Sequence, residues 1–368
     1  MNRIQLGNAV FEGENNAYVL EGTTTTLIDT GVALPAVREE LSAGLGEFGL
    51  SFADIGRIVL THWHPDHAGL AGEIQAAGGA EVVIHEADAP LVDGSGVSLA
   101  TDSAQQQAVF ERWGIPTADQ RRLRRYFESV STSLAGTAAD VTTISDGDVI
   151  DADGVALEAV HLPGHTAGLT AFAFDPRTVP DHEPASEQTA TTADGVGADG
   201  TDGTHTTEAP EALFTGDALL PKYTPNVGGA DVRVTDPLAA YAESLARIVD
   251  RDVDVAYPGH RWRIDEPSRR AATILDHHRH RTRRVLDVLE ATESATAWEV
   301  SAQLFGELNE IHILHGPGEA FAHLDHLASA GVVEPDGTAY RLVDPDPDVG
   351  SLFPTTPLDD AVDGAEDA

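Results

Sequence analysis

The hydrophobic pattern along the first 265 residues alternates between two kinds of stretch. Short apolar runs bounded by turn residues, as at 57–60 and 155–162, have the pattern of buried strands. Residues 35–45 and 237–250 instead place apolar side chains at helical spacing, and the first of these stretches begins with a proline. The pattern therefore predicts buried strands connected by amphipathic helices.

The pattern changes after residue 271. Apolar residues at helical spacing predict three helices, of which the second begins with a sequence typical of a capping box at 296–299 and the third ends at Gly331. The turn sequence at 335–337 lies between two short apolar runs and predicts a hairpin. Three helices and a hairpin indicate a winged-helix module at residues 271–343.

Two segments lack this patterning. Residues 176–211 are crowded with threonine, aspartate, glycine, alanine and glutamate, and residues 344–368 are acidic without a basic residue. Chains of this composition bury too little apolar surface to offset the entropy lost on ordering. We predict a disordered acidic insertion at 176–211 and a disordered tail at 344–368, and we exclude His182 and His205 of the insertion as functional candidates.

The chain is strongly acidic, with 61 acidic and 22 basic residues and a formal charge of -39. The acidity is spread along the sequence, and Lys222 is the only lysine. An evenly acidic, lysine-poor surface is typical of a halophilic protein, because concentrated salt screens the repulsion between carboxylates. The alternative, an acidic protein that seeks basic partners, is less consistent with the absence of long blocks of like charge.

No apolar run approaches the roughly 20 residues that span a bilayer. The first five residues lead directly into strand-like sequence and show no apolar signal region. We therefore expect a soluble, cytoplasmic protein with no membrane partner. The length of 368 residues favours two domains over one.

The densest group of chemically active side chains is at residues 61–69, directly after the apolar run 58–60. Three histidines and an aspartate within six positions supply nitrogen and oxygen donors suited to metal ions. A polar surface loop could contain such residues by chance, but the density and the preceding strand favour a metal site. The chain has no cysteine, so histidine and carboxylate must hold any metal.

The H-x-H-x-D-H pattern at 62–67 resembles the signature of the metallo-β-lactamase superfamily. Three later motifs resemble the others of that family: Leu-Pro-Gly-His-Thr at 162–166, Phe-Thr-Gly-Asp at 214–217 and Tyr-Pro-Gly-His at 257–260. The resemblance covers about residues 8–262 and continues more weakly to about 343. It implies an α+β fold, a four-layer αββα sandwich at residues 1–265, followed by the small carboxyl-terminal winged-helix domain.

The resemblance also assigns roles to individual residues. It implies a dinuclear zinc centre, although iron or manganese would also suit the donors. The first zinc would be held by His62, His64 and His165, the second by Asp66, His67 and His260, and both by a bridging Asp217. Asp66 would in addition orient the attacking hydroxide.

Some residues outside this set have two interpretations. Asp29 resembles a family position that supports the metal-binding loop from outside, but aspartate is also common in turns. His277, His278 and His280 follow the last motif in an arginine-rich helix. We interpret them as an exposed helix face rather than as ligands.

By resemblance, the protein is a hydrolase that uses a metal-bridging hydroxide. It resembles both the hydroxyacylglutathione hydrolase-like group, which cleaves thioesters, and the β-lactamase-like-protein-2 group, which has a winged-helix tail and includes endoribonucleases. We favour a small-molecule thioester or ester over RNA because residues 305–343 contain a single arginine, Arg341. The module would then be a cap or a homodimer contact. A non-enzymatic winged-helix regulator is disfavoured, because no ligand position is missing.

Overall fold

The computed structural model describes residues 1–7, 13–134, 136–179 and 210–359. Of the predicted acidic insertion, only the two ends fall within these ranges, and residues 180–209 lie outside them. At the first end, residues 176–178 form a short 3-10 turn in which Pro176 is buried. At the other end, Glu211 forms an ion pair with Arg251.

The strands of the described ranges form three sheets. The first sheet contains β1 (Asn2–Leu6), β2 (Asn15–Leu20), β3 (Thr26–Ile28), β4 (Arg57–Val59), β5 (Glu81–His85) and β6 (Val141–Ile144). The second contains β7 (Val149–Ala152), β8 (Val155–His161), β9 (Thr170–Phe174), β10 (Ala212–Gly216) and β11 (Val255–Pro258). The third is small and contains β12 (Ala295–Thr296), β13 (Val333–Asp336) and β14 (Ala339–Leu342).

The helices fall into two groups by position in the chain. Within the described ranges, six precede residue 135, namely α1 (Pro35–Glu47), α2 (Pro65–Ala68), α3 (Ala71–Gly78), α4 (Ala89–Val92), α5 (Ser103–Arg112) and α6 (Thr117–Leu134). The described residues from 136 onward contain four, namely α7 (Pro237–Arg251), α8 (Pro267–Thr292), α9 (Ala297–Phe305) and α10 (His312–Ser329).

The two large sheets pack face to face. Their inner faces share one core, in which Tyr18 and Val59 of the first sheet meet Leu157, Phe172 and Phe214 of the second. The outer face of the first sheet is covered by α1 and α3, and that of the second by α7 and α8. Strands β2, β9, β10 and β11 are buried along their whole length, as expected for strands covered on both faces. The four layers confirm the predicted mixed α and β sandwich.

Strand order determines where polar loops can meet. The first sheet has the order β1-β2-β3-β4-β5-β6 and is parallel from β3 to β6. The second has the order β11-β10-β9-β8-β7, in which only β10 and β11 are parallel. Parallel neighbours end at the same edge of a sheet. The loops that follow β3 and β4, and those that follow β10 and β11, therefore lie side by side in pairs.

The predicted boundary at residue 271 falls inside a continuous helix. The first half of α8 packs Ala271 and Ile274 against α7, in the core of the larger domain. Its second half places Val285 and Leu289 in a different core, shared with α5, α6, α9 and α10. The carboxyl-terminal helices are therefore joined to the sandwich by a shared helix and by the segment that contains α5 and α6.

The elements predicted after residue 271 are present as three helices and a hairpin. Thr296 and Glu299 form the predicted capping box, with the Thr296 hydroxyl accepting from the Glu299 N–H at 3.2 Å. The short strand β12 pairs with β14 and completes a three-stranded sheet. The identification of this unit as a winged helix stays a prediction.

The chain from residue 344 differs from the predicted disordered tail. Residues Val349–Leu352 form a 3-10 turn, and Val349 and Phe353 are buried in the core beside α8. Asp359 forms an ion pair with Arg279. The acidic composition of the segment concealed these apolar side chains. Residues 360–368 lie outside the described part of the chain.

Among the described residues, no helix combines the length and apolar character needed to cross a membrane.

Candidate metal centre

The polar motifs lie where four strands end. The loop after β4 leads into α2, the loop at 162–166 follows β8, and two further loops follow β10 and β11. These segments meet at one edge of the sandwich. They carry all seven predicted ligands: His62, His64, Asp66, His67, His165, Asp217 and His260.

The seven side chains converge on one buried centre. Three overlapping groups each bring one donor atom per residue within 4.8 Å of the others: His62, His64 and His165; His62, His67 and Asp217; Asp66, His67 and His260. The Asp217 carboxylate lies between these groups. Its Oδ2 is 3.6 Å from His165 Nε2 and 3.4 Å from His260 Nε2, while its Oδ1 is 3.4 Å from His67 Nε2. This is where a bridging carboxylate would lie, and metal binding by the seven residues stays a prediction.

Hydrogen bonds at the outer ring nitrogens orient the five histidines. A neutral imidazole that donates through one nitrogen presents the lone pair of the other. The inner nitrogens accordingly face one another, with His64 Nδ1 3.0 Å from His62 Nε2 and 3.0 Å from His165 Nε2. The outer bonds join His62 to Thr61 Oγ1 (3.0 Å), His64 to Ala230 O (3.2 Å), His67 to Asp29 Oδ2 (2.9 Å), His165 to Asn226 O (2.8 Å) and His260 to Gly13 O (3.2 Å).

Asp29 supports this arrangement from outside. Its Oδ1 accepts from the Thr61 N–H at 2.8 Å, and its Oδ2 accepts from the Thr61 hydroxyl at 2.8 Å and from His67 Nδ1 at 2.9 Å. The φ of Asp29 is 56°, in the left-handed region that aspartate adopts more readily than most residues. Of its two interpretations, the contacts support the one in which Asp29 holds the histidine loop.

Burial keeps one part of the centre uncharged. Loss of hydration is the largest influence on the pKa of His62, His64 and His165, and it lowers all three. The pKa of His62 and that of His64 lie well below the usual value for histidine. At neutral pH these rings offer lone pairs without competition from protons.

The other part carries the carboxylates. Burial is the largest single influence on the pKa of His67 and His260 and lowers it, but the neighbouring carboxylates, Asp217 first, act in the other direction, and both pKa values are raised. Burial likewise tends to raise the pKa of Asp217, but His260 and His67 hold it well below its usual range. The raised pKa values mean that His67 and His260 hold protons that balance the charge of the carboxylates. A cation bound here would balance that charge in their place.

Two buried atoms indicate that the centre suits a cation. His67 Nε2 and Asp217 Oδ1 have no hydrogen-bond partner within the described part of the chain, although buried polar atoms are normally paired. Gly259 allows the last loop to approach them, because a Cβ there would lie 2.5 Å from His67 Cε1 and 2.8 Å from Asp217 Oδ1. Once His67 gives up its proton, this ring nitrogen and carboxylate oxygen are donors that zinc accepts.

The centre forms one end of a cavity of about 430 Å³. His64, Asp66, His165 and Asp217 are part of its wall. The rest of the wall comes largely from four other parts of the chain, namely residues 91–101, α6, residues 226–233 and the start of α10. Among the described residues of this wall, Arg233 is the only lysine or arginine, and its guanidinium pairs with Asp88 and Asp231 at 2.7 and 2.6 Å.

Sequence motifs did not predict the part played by α10. His315, at the start of this helix, lines the cavity, and burial together with His312 and His165 lowers its pKa to about 3. Glu319, one turn later, accepts from Asn226 Nδ2 at 3.2 Å, and Asn226 supplies the carbonyl that orients His165. The contacts between Asn226 and α10 join residues about ninety positions apart, so no local pattern could have shown them.

Comparison with known proteins agrees with this geometry. Residues 10–179 match the model of the metallo-beta-lactamase superfamily. The chain is 26% identical to the probable metallo-hydrolase YqjP of Bacillus subtilis, over 86% of this chain and 88% of that protein. It is 24% identical to a beta-lactamase-like protein 2 homolog of Caenorhabditis elegans, over 89% of this chain and 83% of that protein.

A third relative is named for a reaction. It is an atrochrysone carboxyl ACP thioesterase of Aspergillus chevalieri, 22% identical over 83% of this chain and 70% of that protein. Among solved structures, a metallo-beta-lactamase family protein of Thermus thermophilus superposes with a TM-score of 0.70 at 26% identity, covering 93% of this chain and 98% of that one. With the four motifs and the buried histidine and aspartate groups, these matches show that the chain carries a domain of the metallo-beta-lactamase superfamily, a superfamily of hydrolases.

Proposed function

We propose that the protein is a dinuclear zinc hydrolase that cleaves a small-molecule thioester or ester. The observation that carries this proposal is the convergence of seven histidine and aspartate side chains at one end of a cavity whose volume suits a small ligand. Iron or manganese would also fit nitrogen and carboxylate donors.

The division of the centre supports two ions. His62, His64 and His165 form one set of donors, and Asp66, His67 and His260 form another. Asp217 contacts histidines of both sets, and a carboxylate can bridge two cations. When bound, a pair of such ions supplies a hydroxide nucleophile at neutral pH and neutralises the negative charge that develops on the substrate oxygen.

The chain's own groups would position and protect this chemistry. Asp66 lies at the junction of His67 and His260, with its Oδ2 3.8 and 3.5 Å from their Nε2 atoms, and Asn15 Nδ2 donates to the same oxygen at 3.2 Å. A buried carboxylate held in this way can accept a proton from attacking water and keep that water oriented. The Trp63 ring beside His64 forms part of the cavity wall and limits access of bulk water.

The charges around the cavity favour an ester over a nucleic acid. RNA binding relies on arginine and lysine side chains that contact phosphates. The one such residue in the described cavity wall, Arg233, is already paired with two carboxylates. Phosphodiester cleavage by an endoribonuclease of the β-lactamase-like-protein-2 type is the second candidate, supported by similarity to the Caenorhabditis elegans protein.

A substrate comparison tests the proposal. The zinc-loaded full chain is offered S-acyl thioesters, carboxylic esters, phosphodiesters and single-stranded RNA at one fixed molar salt concentration, because nucleic-acid affinity depends steeply on salt. We expect turnover of a thioester or ester that disappears in Asp217→Ala. Cleavage of RNA or phosphodiesters without ester turnover would overturn the choice of substrate, and equal turnover by Asp217→Ala would overturn the assignment of the site.

A further inference from the structure

Apart from the histidine and aspartate side chains, the cavity wall is largely apolar. Several separate parts of the chain contribute to it, so the surface is not an extension of the four motifs. Its larger apolar members are Trp63, Leu91, Val92, Val97, Leu99, Tyr126, Phe127, Val232, Ile311 and Leu314. Phe127 and Leu314 are buried, and Leu99 and Tyr126 are half-buried beside them. The surface therefore belongs to a packed core that stays open on one side.

The polar groups of the same wall are mostly engaged by other protein groups. Ser98 and Thr101 are linked by a bond from the Thr101 hydroxyl to the Ser98 carbonyl at 3.1 Å. Asn226 Nδ2 donates to the His315 carbonyl at 3.1 Å and to Glu319. With Arg233 also paired, the described wall presents no free positive charge to a ligand carboxylate or phosphate. A charged thiol such as glutathione would lack the arginine or lysine contacts that usually bind carboxylates.

From these two observations we infer that the cavity binds the acyl group of the substrate, and that this group is an apolar chain or ring. The inference rests on the proposed hydrolase function and makes it more specific. The acyl carbonyl would lie at the histidine and aspartate end, and the hydrocarbon part against Leu99, Phe127 and Leu314. Water adds to the acyl carbon, the carbon–sulfur bond breaks, and the products are a carboxylic acid and a thiol that takes the proton. For an ester, the carbon–oxygen bond breaks and an alcohol leaves.

This arrangement predicts a dependence on chain length. Each methylene transferred from water to an apolar wall raises kcat/KM about fourfold until the cavity is full, since burial of a CH₂ favours binding by that factor. A lactoyl group, which is short and carries a hydroxyl, would gain little from the same wall. The leaving thiol would contribute less to selectivity than the acyl group does.

The test uses thioesters of one uncharged thiol, N-acetylcysteamine, with straight acyl chains from acetyl to decanoyl, and S-lactoylglutathione as the charged comparison. The zinc-loaded full chain is assayed at fixed molar salt. We expect kcat/KM to rise along the series and to exceed that for S-lactoylglutathione. A flat or falling series, or a preference for S-lactoylglutathione, overturns the acyl inference while the hydrolase function stands. Hydrolysis of none of these thioesters and of no other ester would instead contradict the proposed function itself.

Two matched substitutions locate the effect. Ala100 lines the cavity, whereas Ala104, one turn away at the start of α5, is exposed and does not. Ala100→Phe should lower kcat/KM for the longest acyl chain at least about tenfold, mainly through KM, and leave acetyl turnover within about twofold, because only long chains need the filled space. Ala104→Phe should behave like the unchanged protein. Equal losses for short and long chains in Ala100→Phe would overturn the inference.

A binding measurement gives a readout that does not depend on turnover. Calorimetric titration of the full chain with decanoate and with acetate should show binding of decanoate alone, with a negative heat-capacity change from apolar burial. Ala100→Phe should weaken decanoate binding, and Ala104→Phe should not. Binding of the two acids with equal affinity, or undiminished decanoate binding in Ala100→Phe, would show that the apolar wall does not hold the acyl group.

Discussion

Within the described residues, the protein buries two groups of histidine and carboxylate side chains, and the contrast between them bears on which of the two suits a metal ion. The first group, the motif centre, contains the seven histidine and aspartate residues of the four motifs. The second lies between α8 and α10, where His278, Glu319 and His323 also bring one donor atom each within 4.8 Å of the others. By residue type and spacing the two groups look alike.

Their carboxylates have different partners. Glu319 forms an ion pair with Arg281, so its charge is neutralised before any metal arrives, and its other oxygen accepts from Asn226. In the motif centre, the ion pairs of Asp66 and Asp217 are with histidines, whose protons a metal can replace. A fixed guanidinium cannot be deprotonated in this way.

The imidazoles of the two groups also differ in where their ring nitrogens donate hydrogen bonds. Thr282 Oγ1 donates to the His278 carbonyl, so it must accept from His323 Nδ1 at 2.8 Å. His323 Nε2 then accepts from His278 Nδ1 at 3.4 Å, so the two rings are hydrogen-bonded to each other. In the motif centre the outer nitrogens donate to oxygen atoms instead, which leaves the inner lone pairs facing one another. The second group is therefore held together by hydrogen bonds between its own side chains, although His278 Nε2, like His67 Nε2 of the first group, has no hydrogen-bond partner among the described residues.

The largest expected effect comes from removing the shared carboxylate. Asp217→Ala should remove both ions and lower turnover by more than about 100-fold, beyond the range typical for partners outside the ligand set. His260→Ala should mainly weaken the ion held with Asp66 and His67. Elemental analysis of protein loaded with excess zinc, together with turnover, measures both results.

His323→Ala is the matched control in the second group. It should leave the zinc content near two per chain. A third equivalent of zinc in the unchanged protein that is lost in His323→Ala would show that the contrast between the groups is wrong. Unchanged zinc content in Asp217→Ala would show that Asp217 does not hold metal in the motif centre.

Removing the guanidinium from the second group should destabilise the fold. Arg281 and Glu319 are 13% and 11% exposed, and Arg281→Met would leave a mostly buried carboxylate without its ion-pair partner. We expect a loss of about 3 kcal/mol in the free energy of unfolding, the lower end for a broken buried pair, measured by denaturant titration. The double variant Arg281→Met with Glu319→Gln should recover much of this loss.

Arg281→Met also tests whether the guanidinium keeps zinc out of the second group. With its carboxylate no longer neutralised, the second group in Arg281→Met should bind zinc weakly, and the double variant should not. Equal zinc content in the single and double variants at excess zinc would indicate that the direction of the imidazoles, and not the guanidinium, keeps this group free of metal.

A smaller effect on zinc affinity is expected from changing Asp29, which supports the motif centre from outside. Asp29→Asn keeps the shape of the side chain and tolerates a positive φ, but its amide can no longer accept all three bonds from Thr61 and His67. Zinc affinity should fall roughly 10- to 100-fold, as is typical for outer partners of metal ligands. Competition with a chromophoric chelator measures it, and an affinity equal to that of the unchanged protein would count against the supporting role of Asp29.

A pH dependence separates the two halves of the motif centre without any substitution. The pKa values of His67 and His260 are raised, so as pH falls these rings take up protons that must leave before an ion binds. The pKa values of His62, His64 and His165 are lowered, so those rings stay neutral over the same range. Between about pH 8 and pH 6, affinity for the second ion should fall by up to about tenfold per pH unit for each displaced proton, and affinity for the first should change less. Parallel losses of both ions in the chelator assay would contradict this division.

The convergence of the seven motif residues was predictable because each belongs to a short motif directly after an apolar strand. Strand ends concentrate such residues at one edge of a sheet, so order along the chain was enough to place them together. The contacts of Asn226, His315 and Glu319 were not predictable, because they depend on how α10 packs against the sandwich.

The histidines of α8 show a different error. The prediction of an exposed face holds for His280 but is wrong for His278, which is buried, and His277 is half-buried. The neighbouring arginines suggested a solvated helix. His278 lies four residues after Ile274 and seven before Val285, and this spacing places it on the buried stripe of the helix. The apolar pattern was the better guide than the local charge.

The link from Glu319 through Asn226 to His165 has a consequence for the order of events during synthesis. All seven ligands precede residue 261, so a ribosome has made every donor atom while α10 is still untranslated. Until α10 docks, the Asn226 amide lacks its two acceptors on that helix, the His315 carbonyl and the Glu319 carboxylate, so we expect Asn226 to hold His165 less firmly. Domains tend to fold as units from the amino terminus during synthesis. Here we expect the centre to reach its final geometry only after α10, which lines its cavity, has been made.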